Sequence, residues 1–321
     1  MRTATSALLA CLLISPGPAP SATEATRATG PVDAVPAGQA APRFRSSVQM
    51  VTVAAVVRDR KGRFMRNLTR HDVQVLDKGA PRAISDFRVD VEAPVSIALL
   101  FDESGSMSVS SKALAARAAA AHILATLDPR RDEVAVFAFD SRLTATEPFT
   151  SDIEGVKTRL KSAEPFGTTA LFDAVAAAAA RMAERGARRK AIVVLTDGVD
   201  TASQLRPEEV SRAASAIDVP VYVLAVVSPL DHPGADTAVE TQFEESAADL
   251  ANLAQWTGGD VLTASVPAHA SVAARQIVSE LRHQYVIAFE SGTEPGWHPI
   301  EVRVKERSAV VRARSGYVVR S

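Results

Sequence analysis

Residues 95–107 read VSIALLFDESGSM: an almost wholly apolar run that stops at Asp102 and is followed by Ser104 and Ser106 at a spacing of two. A continuous apolar run, as opposed to an alternating one, is what a strand buried on both faces requires. Such strands belong to parallel sheets covered by helices on each side. The two serines would be explained by a turn that caps the next helix. A cation-binding loop would explain the serines and the acid together. The rest of the chain decides between these readings.

Downstream the pattern alternates. Ser111 to Leu127 is Ala-rich and reads as a helix, EVAVFAF as a strand, and LTATEPF as an edge strand. Helices are expected over 152–163 and 170–185, then the strand AIVVLT, then a helix from Pro207 to Ile217 with proline suited to its first turn. VPVYVLAVV, a helix over 244–256, DVLTA and a last helix over 268–282 complete the series. Alternation of this kind predicts a doubly wound α/β domain over 94–266, mostly parallel, with helices on both faces and the last helix at 267–283. Between VPVYVLAVV and the next helix lies a stretch, 228–246, that reads as a long acidic loop carrying Asp231, Asp236, Glu240, Glu244 and Glu245. Leaving the carboxyl end of its strand, that loop is expected to shape partner choice.

Both flanks read differently. From 46 to 92 the segments VQMVTVAAVVRD, DVQVLDKG and AISDFRVD have strand character, with Lys61-Gly62 and Lys78-Gly79 at turn positions. After Arg282, HQYVIAFES, HPIEVRVKE and AVVRARSGYVV alternate apolar and polar residues, the mark of a half-exposed antiparallel sheet. The two flanks are expected to pair, so that the α/β domain is inserted into a small antiparallel β module built from 46–92 and 284–321.

The chain has 321 residues, 47% hydrophobic and 23% charged, with a formal net charge of −1. This is globular composition, and its charge balance gives no electrostatic ground for a nucleic-acid partner. Met1-Arg2, the apolar stretch Ala7–Ile14 and the small residues that follow have the order of a secretory signal over 1–25. An Ala/Pro/Thr-rich linker over 26–45 comes next. The reading is export, to the periplasm or the medium, with no transmembrane segment; lipid anchoring at Cys11 is the lesser alternative. Cys11 is the single cysteine, so thiol metal sites and disulfides are not expected after processing. Six histidines are scattered without an i, i+4 pair. Neither a Gly-x-Ser-x-Gly elbow nor a phosphate loop occurs, and no enzyme activity is expected.

In an open parallel sheet, ligands bind beyond the carboxyl ends of the strands, where strand order reverses. Three segments put polar residues there: Asp102-Glu103-Ser104-Gly105-Ser106, the loop Phe166-Gly167-Thr168-Thr169, and Asp197-Gly198-Val199-Asp200. They supply carboxylates and hydroxyls but no imidazole or thiolate. Such hard oxygen donors suit Mg²⁺, Mn²⁺ or Ca²⁺ and suit Zn²⁺ or Cu²⁺ poorly. Asp173 and Asp140 are better read as helix-start and turn residues than as ligands.

The segments FDESGSM, GTTALFDA and LTDGVD, in that order, resemble the metal-ion-dependent adhesion site of von Willebrand factor A domains, over roughly 94–266. The flanking β segments add a likeness to exported bacterial proteins of that family. The resemblance implies that Asp102, Ser104, Ser106, Thr169 and Asp197 hold a divalent cation, Mg²⁺ first, with the acids acting largely through water. Thr168 is the alternative to Thr169, because Gly167-Thr168-Thr169 replaces the family's usual Gly-Gly-Thr. It further implies ligation, not catalysis: an Asp or Glu carboxylate of a partner protein fills an open coordination position. The rival expectation is a structural or assembly subunit of a cell-envelope complex, in which the ion only stabilises. By the same analogy, ion occupancy would be transmitted through the last helix into the β module.

Overall fold

A computed structural model describes residues 49–89, 93–108, 111–160, 167–186, 188–227 and 237–319. The secretory-signal and linker readings, Asp231 and Asp236 lie outside the described residues. In chain order the elements are β1 (Met50–Arg58), β2 (Val73–Asp77), β3 (Ala80–Arg82), β4 (Ile84–Val89), β5 (Val95–Asp102), α1 (Lys112–Ala125), β6 (Glu133–Phe139) and β7 (Leu143–Thr150). They continue with α2 (Ile153–Arg159), α3 (Leu171–Ala183), β8 (Arg189–Thr196), α4 (Pro207–Ala216), β9 (Val221–Val226), α5 (Thr237–Thr257) and β10 (Val261–Ala264). The last are α6 (Pro267–Arg282), β11 (Tyr285–Glu290), β12 (Gly296–Val304), β13 (Val310–Ala313) and β14 (Gly316–Val319).

The apolar run of β5 is two period-2 stripes superimposed. Val95, Ile97 and Leu99 face one core with α1 and α6, while Ala98 and Leu100 face the other with α3 and α4. The same division holds in β8, where Ala191, Val193 and Leu195 oppose Ile192 and Val194. Burial on both faces therefore removes the alternation that a half-exposed strand would show. The sheet order is β10-β9-β8-β5-β6-β7, parallel except for the antiparallel edge strand β7. Its two centre strands, β5 and β8, leave in sequence toward opposite sides, which creates the crevice at their carboxyl ends. Alanines at 115, 116, 119 and 120 are fully buried on α1, letting that helix approach both the sheet and α6 closely.

The helix expected over 244–256 begins at Thr237. Residues 237–246, with Glu240, Glu244 and Glu245, are thus helical and not part of a loop as expected, while 228–236 lie outside the described residues. The cause is visible in TAVETQFEESAADLANLAQWT: Ala, Glu and Gln favour helix, and acids early in a helix complement its dipole. Among the described residues no helix is long and apolar enough to cross a membrane.

The chain's two flanks interleave in two antiparallel sheets, β13-β1-β11-β4 and β14-β12-β2-β3. Val51, Val53, Ala55 and Val57 of β1 pack with Ile287 and Phe289 of β11 against Val75 of β2, Ile300 and Val302 of β12 and Tyr317 of β14. One stretch expected to be a single strand divides between the sheets: AVVRARSGYVV breaks at Arg314-Ser315 into β13 and β14, whereas AISDFRVD forms the single strand β4. Lys78 (φ 51°) and Gly79 (φ 81°) both adopt the left-handed conformation that a two-residue hairpin needs, joining β2 to β3 with Asp77 opposite Ala80.

The sandwich is joined to the α/β part by buried polar contacts. Glu280 of α6, fully buried, pairs with Arg58 of β1 (2.7 Å) and with Arg312 of β13, which also pairs with Asp260. Arg314 donates to the carbonyls of Ser215 (2.9 Å) and Thr52 (2.5 Å), and Trp256 stacks on Trp297.

Candidate metal centre

Asp102 is the last residue of β5, and Asp197 directly follows the last residue of β8. Because the two strands are adjacent and parallel, with Phe101 opposite Leu195, both carboxylates emerge at the same edge. Both are nearly inaccessible, at 4% and 6% exposure.

Each carboxylate has distinct surroundings. Asp102 Oδ1 accepts from the Ser104 amide (2.9 Å), which folds the chain sharply after β5, and its Oδ2 accepts from the Thr196 hydroxyl (2.5 Å). Burial pushes the Asp102 carboxyl up to about 6 against those hydrogen bonds, and the neighbouring charge of Asp197 adds to the rise. Asp197 Oδ2 accepts from the ammonium of Lys112 at 2.9 Å, both side chains being buried. Its other oxygen, Oδ1, is buried without a hydrogen-bond partner.

Gly105–Ser108 forms a short 3₁₀ turn, and Ser104 and Ser106 lie with their hydroxyls 3.0 Å apart. Neither serine caps α1: the residue before that helix is Ser111, whose side chain makes no capping bond. The Thr loop is tied to this turn through the Gly105 amide, which donates to the Gly167 carbonyl at 3.1 Å. Thr169 is buried, and its carbonyl accepts from the amides of Thr201 and Ala202, linking the second and third loops. Thr168 is exposed. The three segments expected at one sheet edge are therefore brought together.

The remaining acids hold this edge in shape. Asp200 accepts from the Leu171 amide at the start of α3 and from Ser203, and Asp173 accepts from the amides of Gln204 and Leu205. Asp140 accepts from the Arg142 amide and closes its own turn. Two participants escaped the reading of the sequence, Thr196 and Lys112. Lys112 had a detectable signal: it precedes Ala115, Ala116 and Ala119 by three, four and seven residues, on the helix's buried stripe.

The oxygen-only donor set fits a hard cation, and the orphaned Asp197 Oδ1 fits it further. A buried acceptor left unmade costs about 1–3 kcal/mol, which a bound cation would relieve. Among the described residues no three His, Cys, Asp or Glu side chains cluster as a metal site.

The fold and this edge define a doubly wound α/β domain with a polar, carboxylate- and hydroxyl-lined crevice at its centre. Residues 97–199 match the family model of the von Willebrand factor type A domain. No curated protein matches. Among solved structures, proximal thread matrix protein 1 from the mussel byssus, with a zinc-occupied MIDAS motif, is 20% identical with a TM-score of 0.50. That match covers 64% of this chain and 50% of the other. An aerotolerance-related membrane protein from Bacteroides fragilis is 21% identical (TM-score 0.47, 58% of this chain and 98% of that one). BatB from Bacteroides thetaiotaomicron is also 21% identical (TM-score 0.45, with the same coverage).

Proposed function

We propose that the chain is an exported, metal-dependent protein-interaction module, with Asp102, Ser104, Ser106, Thr169 and Asp197 holding a divalent cation whose open position takes an Asp or Glu carboxylate of a partner. The observation that carries this reading is the convergence of three loops on one crevice in which Asp197 Oδ1 is buried and unsatisfied. Buried Thr169, not exposed Thr168, is the threonine of the set. The chemistry is ligation: two carboxylates and three hydroxyls leave an octahedral ion short of six oxygens, and the vacancy accepts an anion. Mg²⁺ is the ion proposed. The zinc in the mussel protein's motif makes Zn²⁺ the competitor to include in any titration.

A thermal-shift titration with Mg²⁺, then with an acidic peptide, tests this reading. An interaction module gains stability from the ion, and gains again from the peptide only when the ion is present. A peptide without effect at saturating Mg²⁺ would favour an envelope subunit in which the ion merely stabilises. No response to any divalent ion would reject the site.

A further inference from the structure

Lys112 stands where the sequence pattern of a cation site has no place for it. It is the first residue of α1, its side chain is 5% exposed, and its ammonium lies 2.9 Å from Asp197 Oδ2. A buried ammonium persists only beside a compensating charge, and Asp197 supplies one. Asp102, the other buried carboxylate of the crevice, accepts hydrogen bonds from Ser104 and Thr196. The two carboxylates and the ammonium together carry one net negative charge when ionised, half of what the carboxylates alone would present to a divalent ion.

We propose that Lys112 is a resident cation that sets the ion affinity of the crevice. It neutralises Asp197 while no ion is bound, and it opposes entry of a divalent ion by like-charge repulsion. It also leaves the bound ion under-neutralised, so that an added carboxylate strengthens ion binding. The inference rests on reading Asp102 and Asp197 as the ion's holders. A consequence is selectivity for partners: occupancy by ion and by carboxylate becomes mutually dependent, and the crevice stays closed to ion alone at low concentration.

Calorimetric titration of Mn²⁺ into the wild-type chain, Lys112→Met, Lys112→Gln and Asp102→Ala tests it, each with and without excess acetate. Lys112→Met and Lys112→Gln should bind Mn²⁺ at least tenfold more tightly than wild type, and acetate should tighten binding in wild type more than in either variant. Equal or weaker Mn²⁺ binding by both folded variants overturns the inference, while loss of binding in Asp102→Ala alone leaves the ion site itself standing. If no chain binds Mn²⁺, both readings fall. Should neither Lys112 variant fold, the wild-type Lys112 Nζ resonance, assigned with Lys112→Arg, decides. It should move on saturation with Mg²⁺, and a resonance that stays in place refutes the proposal.

Discussion

Glu280 is the point where the last helix of the α/β part is held by the sandwich, and Glu280→Gln is the perturbation that weighs this junction. The side chain is fully buried, and its two ion-pair partners, Arg58 and Arg312, are only 18% and 19% exposed. The amide keeps the shape and can still accept a hydrogen bond, but both guanidiniums lose their shared counter-charge. Breaking a buried pair by removing one partner costs about 3–5 kcal/mol. Arg312 keeps Asp260, so the lower end, about 3 kcal/mol, is expected. For a chain of this size that corresponds to a fall in Tm of roughly 4–6 °C. Urea unfolding at pH 7 measures it, and a double-mutant cycle with Arg58→Met should return a coupling of about 1 kcal/mol or more. A loss below about 1 kcal/mol, in the range of exposed pairs, would refute the buried-network account.

Two further outcomes follow from packing and charge. In Gly259→Ala the new Cβ would sit 1.9 Å from the Val221 carbonyl oxygen, so β9 or the turn after α5 must move; a loss of about 1–3 kcal/mol in urea unfolding is expected, and an unchanged midpoint would refute the contact. Glu133 is buried, which by itself pushes its carboxyl up, yet hydrogen bonds from Arg185 (2.9 and 2.7 Å) and Ser96 (2.6 Å) hold it below its ordinary value of 4.5. A depressed folded value means stability that is present above pH 4.5 and lost as pH falls through the lowered value. The stability advantage of wild type over Glu133→Gln should therefore shrink as the pH falls below 4.5, and a difference that stays constant on acidification would be contrary to it.

Much of this architecture is legible in residue order because both-face burial leaves an unmistakable pattern. VSIALLF, EVAVFAF and AIVVLT have the continuous apolar pattern of central strands, and the carboxyl ends of such strands locate the crevice. What is not legible is partition. The split between β13 and β14 follows from which sheet each half can cover, a tertiary matter that local alternation does not encode. The early start of α5 reverses a reading based on acidic composition, since helix propensity outweighs polarity over 237–246. Lys112 shows the same limit at the site: its place on the buried stripe of α1 is visible in the spacing, whereas its partner, Asp197, comes from a distant strand.

The most direct test of the central claim, that three loops form one divalent-cation site, is an electron paramagnetic resonance titration of Mn²⁺ into wild type and Asp102→Asn. The account predicts a single saturable Mn²⁺ per wild-type chain, displaced by Mg²⁺, and no comparable binding in Asp102→Asn with the fold intact by circular dichroism. Equal Mn²⁺ binding by the two proteins would contradict it.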